Sequence, residues 1–383
     1  MNTERTTRFN AARRVVVKVG SNVLTADNGL NLSVIDTLSR QISRLIDTGR
    51  QVIFVSSGAM ACGLRKLKLK TRPAEIPKRQ AIAAVGQAGL IQEYETAFNR
   101  FDKQVAQILF TGEDLSNRLR FLNARNTFNA LLSLNVIPIV NENDTVAVEE
   151  IKFGDNDTLS AIIALMLDAD LLINLTDIDG VYTADPRVDP AAERIAEIHT
   201  ITPEIERQAG GIPGSLGTGG MRTKIEAARK STAAGIPMII GPGNRADVLD
   251  ALFAGEPIGT YFHPKPERLA SRKSWIAFSS KPRGAVIIDA GAVDAVIKNG
   301  KSLLASGIIG VEGDFSVGAP VFLTSSKDEC LGVGLVNYGA RDIEKIMGLH
   351  SNEIQIRLGS KPYDEVIHRD NLTITAEHQP ETP

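Results

Sequence analysis

Arg14-Val-Val-Val-Lys-Val-Gly20 is a run of β-branched residues interrupted by one lysine and closed by a glycine. A short, continuously apolar run ended by a turn residue reads as a strand buried on both faces. A helical pattern over about 33–48 follows, and then a second run at 51–55, so the two together spell a βαβ unit. Outward from it the alternation continues, with helical patterns over 78–100, 124–133, 158–167 and 221–234. Between them lie strand patterns over 104–110, 136–140, 171–175 and 237–240. That rhythm predicts an α/β domain with a mainly parallel open sheet sandwiched by helices. Residues 145–153, short, β-branched and partly charged, read as a hairpin or excursion over the sheet edge, and 179–187 as a turn and loop.

From about 261 the pattern gives way to a basic, proline-containing stretch, HPKPERLASRKSW, and then to short β-type runs with glycine turns. The expected organisation is a large domain over 10–260, a linker over 261–282, a small mostly-β domain over 283–361 and a polar tail over 362–383. A chain of 383 residues exceeds one ordinary core and suits two domains of unequal size. Lys plus Arg (43) nearly balance Asp plus Glu (45), which argues against a nucleic-acid coat. The opening MNTERTTRFNAARR lacks the apolar core of a signal peptide, and no apolar run nears the ~20 residues that a membrane-spanning helix needs. A cytoplasmic protein without membrane association is expected. Cys62 and Cys330 stand far apart with no ligand cluster beside them, so both read as buried thiols rather than a disulfide or zinc site.

The chemistry-bearing residues sit just beyond strands, where open α/β sheets place their ligand crevice. Lys18 is a charge inside an apolar strand, costly unless it meets an anion or its stem packs while the ammonium reaches water. Gly210-Gly-Ile-Pro-Gly-Ser-Leu-Gly-Thr-Gly-Gly220 is too glycine-rich for helix or strand and runs into the helix that carries Lys224. Alone it reads equally as a linker; followed by a helix with a lysine in its first turn, it reads as a phosphate cradle. Its spacing is neither GxxxxGK[ST] nor GxGxxG. Ser56-Ser-Gly-Ala59 offers hydroxyls and N–H groups to a carboxylate or phosphate, or a simple helix cap. Asn141-Glu-Asn-Asp144 offers acceptors for an ammonium, though unligated polar loops of this kind are common. Gly154-Asp-Asn-Asp-Thr158 holds one acidic residue more than a cap requires, and Asp157 suits the orienting of a catalytic lysine. Thr176-Asp177 suits nucleotide contacts, with a plain turn as the alternative.

Together VVVKVGSNVL, VSSGAMACG, FLNARNT, VNENDTVAVEEIKFGDND, LLINLTDIDGVYTADPR and GTGGMRTKIEAA resemble the amino-acid kinase family, and within it the glutamate 5-kinases, over nearly the whole chain and in order. The resemblance implies the amino-acid kinase fold and ATP-dependent phosphorylation of the L-glutamate side-chain carboxylate, the first step of proline biosynthesis. Carried over residue by residue, Lys18 and Lys224 match lysines that stabilise the transferring phosphoryl group, and Asp157 matches the aspartate that organises them. Ser57, Asp144 and Asn156 match substrate-binding positions. Lys18, Thr176, Asp177, Thr218, Gly219, Gly220, Met221, Arg222, Thr223 and Lys224 match ATP-binding positions. Magnesium is implied as the cofactor, held through ATP phosphates and water rather than by protein ligands. Proline is implied as a feedback inhibitor, and a homo-oligomer, dimer or tetramer, is expected. Ile178-Asp179 departs from the more common polar or basic pair, which bears only on nucleotide-side detail.

Residues 283–359, with GAVIIDAGA and KSLLASGI, resemble a PUA domain, a module that binds RNA in other proteins. Residues 281–361 hold nine basic and nine acidic side chains, without the positive excess that binding a phosphate backbone requires. A structural or regulatory appendage is therefore preferred to RNA binding. Two rival readings stand beside the first: a sibling kinase acting on N-acetylglutamate, aspartate, carbamate or a nucleoside monophosphate, and an RNA-binding protein with the large domain as scaffold.

Overall fold

Arg14–Val19 forms strand β1, and every residue from Val15 onward in it is buried. The computed structural model describes residues 3–26, 29–146, 156–209, 220–265 and 282–374. Seven more strands join β1 in one sheet: β2 (Gln51–Val55), β3 (Gln104–Phe110), β4 (Val136–Glu142), β5 (Leu171–Thr176), β6 (Glu197–Ile198), β7 (Met238–Pro242) and β8 (Thr260–Phe262). Their order is β6-β8-β7-β5-β1-β2-β4-β3. The six strands from β7 to β3 are mutually parallel, whereas β8 runs antiparallel to β7 and parallel to β6. The expected α/β architecture is thus present, with a reversed edge pair that the sequence pattern did not reveal. Strands of two and three residues are too short to display a period.

Helix α1 (Thr3–Ala11) precedes β1, and helices cover both faces of the sheet. On one, α2 (Leu32–Asp47) starts under its cap Asn31, whose side chain accepts from the Val34 N–H, and buries Ile35, Leu38, Ile42 and Leu45 at helical spacing. The long α4 (Ile76–Asn99) opens with proline in its first turn and buries Leu90, Tyr94 and Phe98 beside them. Val15, Val17 and Val19 belong to this same core. Strand alternation therefore turns Val16 and Lys18 to the opposite face, where α6 (Asn156–Met166) lies against β1 and β5 and packs on α7 (Met221–Ala233). Helix α5 (Arg118–Ser133) starts at Arg118 rather than 124, because the Asn117 side chain accepts from the Arg120 N–H at 3.1 Å.

Short α3 (Ala59–Lys66) follows β2 through Gly58, whose φ of +101° is the left-handed conformation that glycine adopts without strain. It packs so closely on α4 that a Cβ at Gly86 would lie 1.7 Å from the Ala59 carbonyl oxygen. That contact fixes the turn Ser56–Gly58 over the end of β2. Residues 179–187 contain strand Val181–Tyr182, paired with Arg194–Ile195, so the expected loop is partly a two-stranded ribbon. Residues 147–153 of the expected excursion and most of the glycine-rich loop lie outside the described residues.

The chain divides into two compact units, Met1–Arg268 and Leu269–Pro383. Tyr261 and Phe262 are fully buried in β8, so a linker beginning at 261 is corrected: the sheet of the first unit continues past it. In the second unit the sheet order is β10 (Ile308–Glu312), β9 (Ala285–Ile288), β11 (Pro320–Ser325), β12 (Cys330–Leu335), β13 (Leu372–Ile374). All neighbours are antiparallel except the β9·β11 pair. Strand β13, and Glu365–Ile367 paired with Leu303–Leu304, lie in the stretch expected to be a polar tail, so that expectation is also corrected. Each is only three residues long, but Val366 and Ile367 are fully buried in the core of this unit. Cys62 is buried as expected; Cys330 is exposed, at the start of β12.

Candidate active site

Lys18 lies one residue before the end of β1, in register with Val55 of β2 and Asn174 of β5. Because it faces α6, its ammonium meets the carboxylate of Asp157 in the first turn of that helix, at Oδ1. Lys224, in the first turn of α7, reaches the other oxygen at 3.1 Å. The Thr223 hydroxyl donates to Oδ2 at 2.8 Å and the Asn174 amide to Oδ1 at 2.7 Å. Asp157 is wholly buried, and Lys18 and Lys224 are only 4% and 6% exposed.

Burial by itself would push the Asp157 carboxyl up. The ammonium groups of Lys18 and Lys224 outweigh that, and hold it well below the usual carboxylate range. Two ammonium groups around one carboxylate leave a net positive charge on these three side chains, in a place from which water is largely excluded. Such an arrangement is costly unless an anion completes it. Each oxygen of Asp157 accepts from two donors, Lys18 and Asn174 at Oδ1 and Lys224 and Thr223 at Oδ2.

A second network, neutral throughout, lies beyond β2 and β4. The Asn156 amide donates to the Ser56 carbonyl oxygen (2.8 Å), to Asn141 Oδ1 (2.9 Å) and to Ser57 Oγ (3.0 Å). Asn141 in turn donates to Gln87 Oε1 at 2.8 Å, and Ser56 Oγ shares a buried hydrogen bond of 2.7 Å with the Tyr94 hydroxyl. Asn156 and Asp157 are consecutive, so one helix start carries a member of each network. Asp144 stands two residues past β4, in the turn that leaves the sheet.

Thr176 ends β5 and its hydroxyl donates to Asp177 Oδ1 at 2.9 Å, while the Asn22 amide donates to Oδ2 at 2.8 Å. Burial raises the Asp177 carboxyl; these hydrogen bonds and the charge of Lys224 together lower it below its ordinary value. Gly220, Met221, Arg222 and Thr223 lead into Lys224 at the start of α7, and among the described residues nothing lies within 4 Å of where a Cβ of Gly220 would sit. Thr218 and Gly219 lie outside the described residues. Sequence reasoning passed over Asn174, Asn22, Gln87 and Tyr94. Only Asn174 carried a signal: it is the one polar residue in the otherwise apolar run Leu171–Leu175, as Lys18 is in β1.

Residues 13–242 match the amino acid kinase family and residues 284–358 match the PUA domain. The chain is 48% identical over 362 residues to the glutamate 5-kinase of Syntrophotalea carbinolica, covering 94% of this chain and 97% of the relative. It is 50% identical over 366 residues to the glutamate 5-kinase of Carboxydothermus hydrogenoformans, with the same shares. Among solved structures, carbamate kinase from Giardia lamblia bound to AMP-PNP superposes with a TM-score of 0.50 at 18% identity, over 67% of this chain and 100% of that one, a likeness of fold alone. With a family match across more than half its length and relatives near 50% identity along almost all of it, the chain belongs to the amino acid kinase family, in the branch of the glutamate 5-kinases, and carries a PUA domain.

Proposed function

We propose that the protein transfers the γ-phosphoryl group of ATP to the side-chain carboxylate of L-glutamate, giving L-glutamyl 5-phosphate for proline synthesis. The observation that carries this reading is the convergence of Lys18 and Lys224 on the buried Asp157 carboxylate. A carboxylate oxygen attacks the γ-phosphorus in line, the new O–P bond forms as the bond to the bridging oxygen breaks, and ADP leaves with the electron pair. No general base is needed, because a glutamate side chain is ionised at neutral pH. The two lysines neutralise charge on the transferring oxygens, and Asp157 holds the ammonium groups where that charge develops.

Ser57, Asn156 and Asp144, beyond β2 and β4, take the glutamate. Thr176, Asp177 and the 218–224 segment take the nucleotide, with Lys18 shared between them. Magnesium, which the family resemblance implies, would add positive charge at the phosphates when bound with ATP. With each oxygen of Asp157 already accepting from two protein donors, that residue would orient the lysines rather than ligate the ion. We further propose proline as an inhibitor that overlaps the glutamate site, and a homo-oligomer, both resting on the family resemblance. No described helix is long and apolar enough to cross a membrane. The balanced charge of the PUA domain supports a structural or regulatory part for it rather than RNA binding.

The test is trapping of the acyl phosphate with hydroxylamine, using glutamate, N-acetylglutamate and aspartate, each with and without proline. Glutamate hydroxamate that depends on ATP and falls with added proline is expected. Product from N-acetylglutamate alone would overturn the substrate assignment.

A further inference from the structure

Away from the strand ends of the candidate active site, the reversed edge pair of the sheet carries a cluster that phosphoryl transfer does not use. Strands β6 and β8 pair in parallel with Glu197 opposite Tyr261 and Ile198 opposite Phe262. The His263 N–H continues the ladder to the Ile198 carbonyl at 2.9 Å. By that register His199 and His263 are neighbours, and the period of two puts Glu197 on the same face. The two imidazoles are stacked, 3.8 Å between centroids and 17° between planes. Glu197 Oε2 lies 2.9 Å from His263 Nε2 and 4.0 Å from His199 Nε2.

We propose that Glu197, His199 and His263 form a binding site for a borderline divalent transition-metal ion of the zinc class, which clips edge strand β6 to β8. The donor atoms of the three side chains all lie within 4.8 Å of one another. Tetrahedral ligands at bond lengths near ~2.1 Å stand about 3.4 Å apart, within the range these atoms span. Two neutral imidazoles and a carboxylate suit Zn²⁺, Co²⁺, Ni²⁺ or Cu²⁺ and disfavour Mg²⁺, which takes oxygen ligands, so this ion is chemically unlike the one that travels with ATP.

The three ligands differ in freedom in a useful way. The His263 side chain is 9% exposed and its ring meets that of Tyr261 edge-on at 4.8 Å, so it is held in place. Glu197 is partly buried at 28%, and His199 at 72% is exposed. Stacked rings aim their nitrogens side by side rather than at one point, so binding requires the exposed His199 ring to turn while the other two ligands stay. The metal then replaces the Glu197–His263 hydrogen bond with coordination and ties together two strands that are only two and three residues long. Water completes the coordination shell.

The experiment is a titration of the chelator-treated full chain, without a histidine tag, with Co²⁺. Expected are the strong visible d–d bands of low-coordinate Co²⁺ saturating at one equivalent, displaced by Zn²⁺ and unaffected by excess Mg²⁺. His199→Ala and Glu197→Gln should each weaken binding by about tenfold or more. Zn²⁺ should raise the unfolding temperature of the parent protein but not of His199→Ala. The exposed position of His199 predicts that this variant keeps its fold by circular dichroism and its phosphoryl-transfer turnover. The chain has five histidines, so adventitious binding at the others would survive the substitution. Absence of the bands, or an affinity unchanged in His199→Ala, overturns the proposal.

Discussion

The two halves of the candidate active site are built from opposite materials. At the ends of β1 and β5 the groups are charged: Lys18 and Lys224 clasp Asp157, with almost no water access. At the ends of β2 and β4 they are neutral, a chain of amides and hydroxyls through Ser56, Ser57, Asn141, Asn156, Gln87 and Tyr94. A charged cluster in a dry place acts at long range and tolerates small displacements, because Coulomb energy falls slowly with distance. A neutral network acts only at hydrogen-bond contact and so selects shape. The division suits a kinase, in which one side must neutralise a phosphoryl group in flight and the other must tell one amino acid from another. Asn156 and Asp157 join the halves, so a shift of the α6 start would disturb both.

The largest expected effect comes from deleting the negative charge at the centre of the charged half. Asp157→Asn leaves two buried ammonium groups without a counter-charge and should cost about 3–5 kcal/mol of stability, read from urea unfolding at neutral pH. The folded carboxyl titrates below its unfolded value of about 3.9, so its contribution is fully present above that pH and is lost as the pH falls below it. The stability difference between parent and variant should therefore shrink below about pH 4. A difference that stayed constant down to pH 3 would break the contrast, since the charged half would then be acting through packing alone.

Next in size is Lys224→Ala. Removing one preorganised donor from a transition state typically lowers kcat by about 10²–10³-fold, and that fall is expected at saturating ATP and glutamate. Turnover close to the parent's would remove the two-lysine mechanism.

On the neutral side the effect should be smaller and should appear in a different constant. Asn156→Ala removes the hub that binds the Ser56 carbonyl, Ser57 and Asn141, worth about 1–3 kcal/mol of lost hydrogen bonding. A rise of about tenfold in the KM for glutamate, with the KM for ATP little changed, is expected from a loss near 1.4 kcal/mol. Equal rises in both constants would mean that the two halves do not divide the substrates in this way.

Much of this was readable along the chain, for identifiable reasons. Continuous apolar runs such as β1 and β5 announce strands buried on both faces, and the polar or glycine clusters after them mark the strand ends. Lys18 stood out because a lone charge in such a run is expensive, and Asp157 because a helix start needs only one acidic cap. Asn174 shares the logic of Lys18, a polar interruption in an apolar strand, but an amide costs less to bury than a charge and so signals more weakly. Gln87 and Tyr94 gave no sign, since on a 24-residue helix they look like any other half-buried positions. The edge strands β6 and β8 were hidden by their length, and with them the adjacency of His199 and His263.

By itself, then, the sequence determined the alternation of strand and helix, the site at the strand ends, and the residue types that meet a phosphate, because these are set by local periodicity and by the cost of burying charge. Only the tertiary structure decided which donors meet on Asp157, how the amide network closes across residues up to 100 positions apart, and where the first sheet ends. Those outcomes depend on strand order and register, which pair distant segments through backbone hydrogen bonds that any residue except proline can make, and which therefore leave little trace in the order of the side chains.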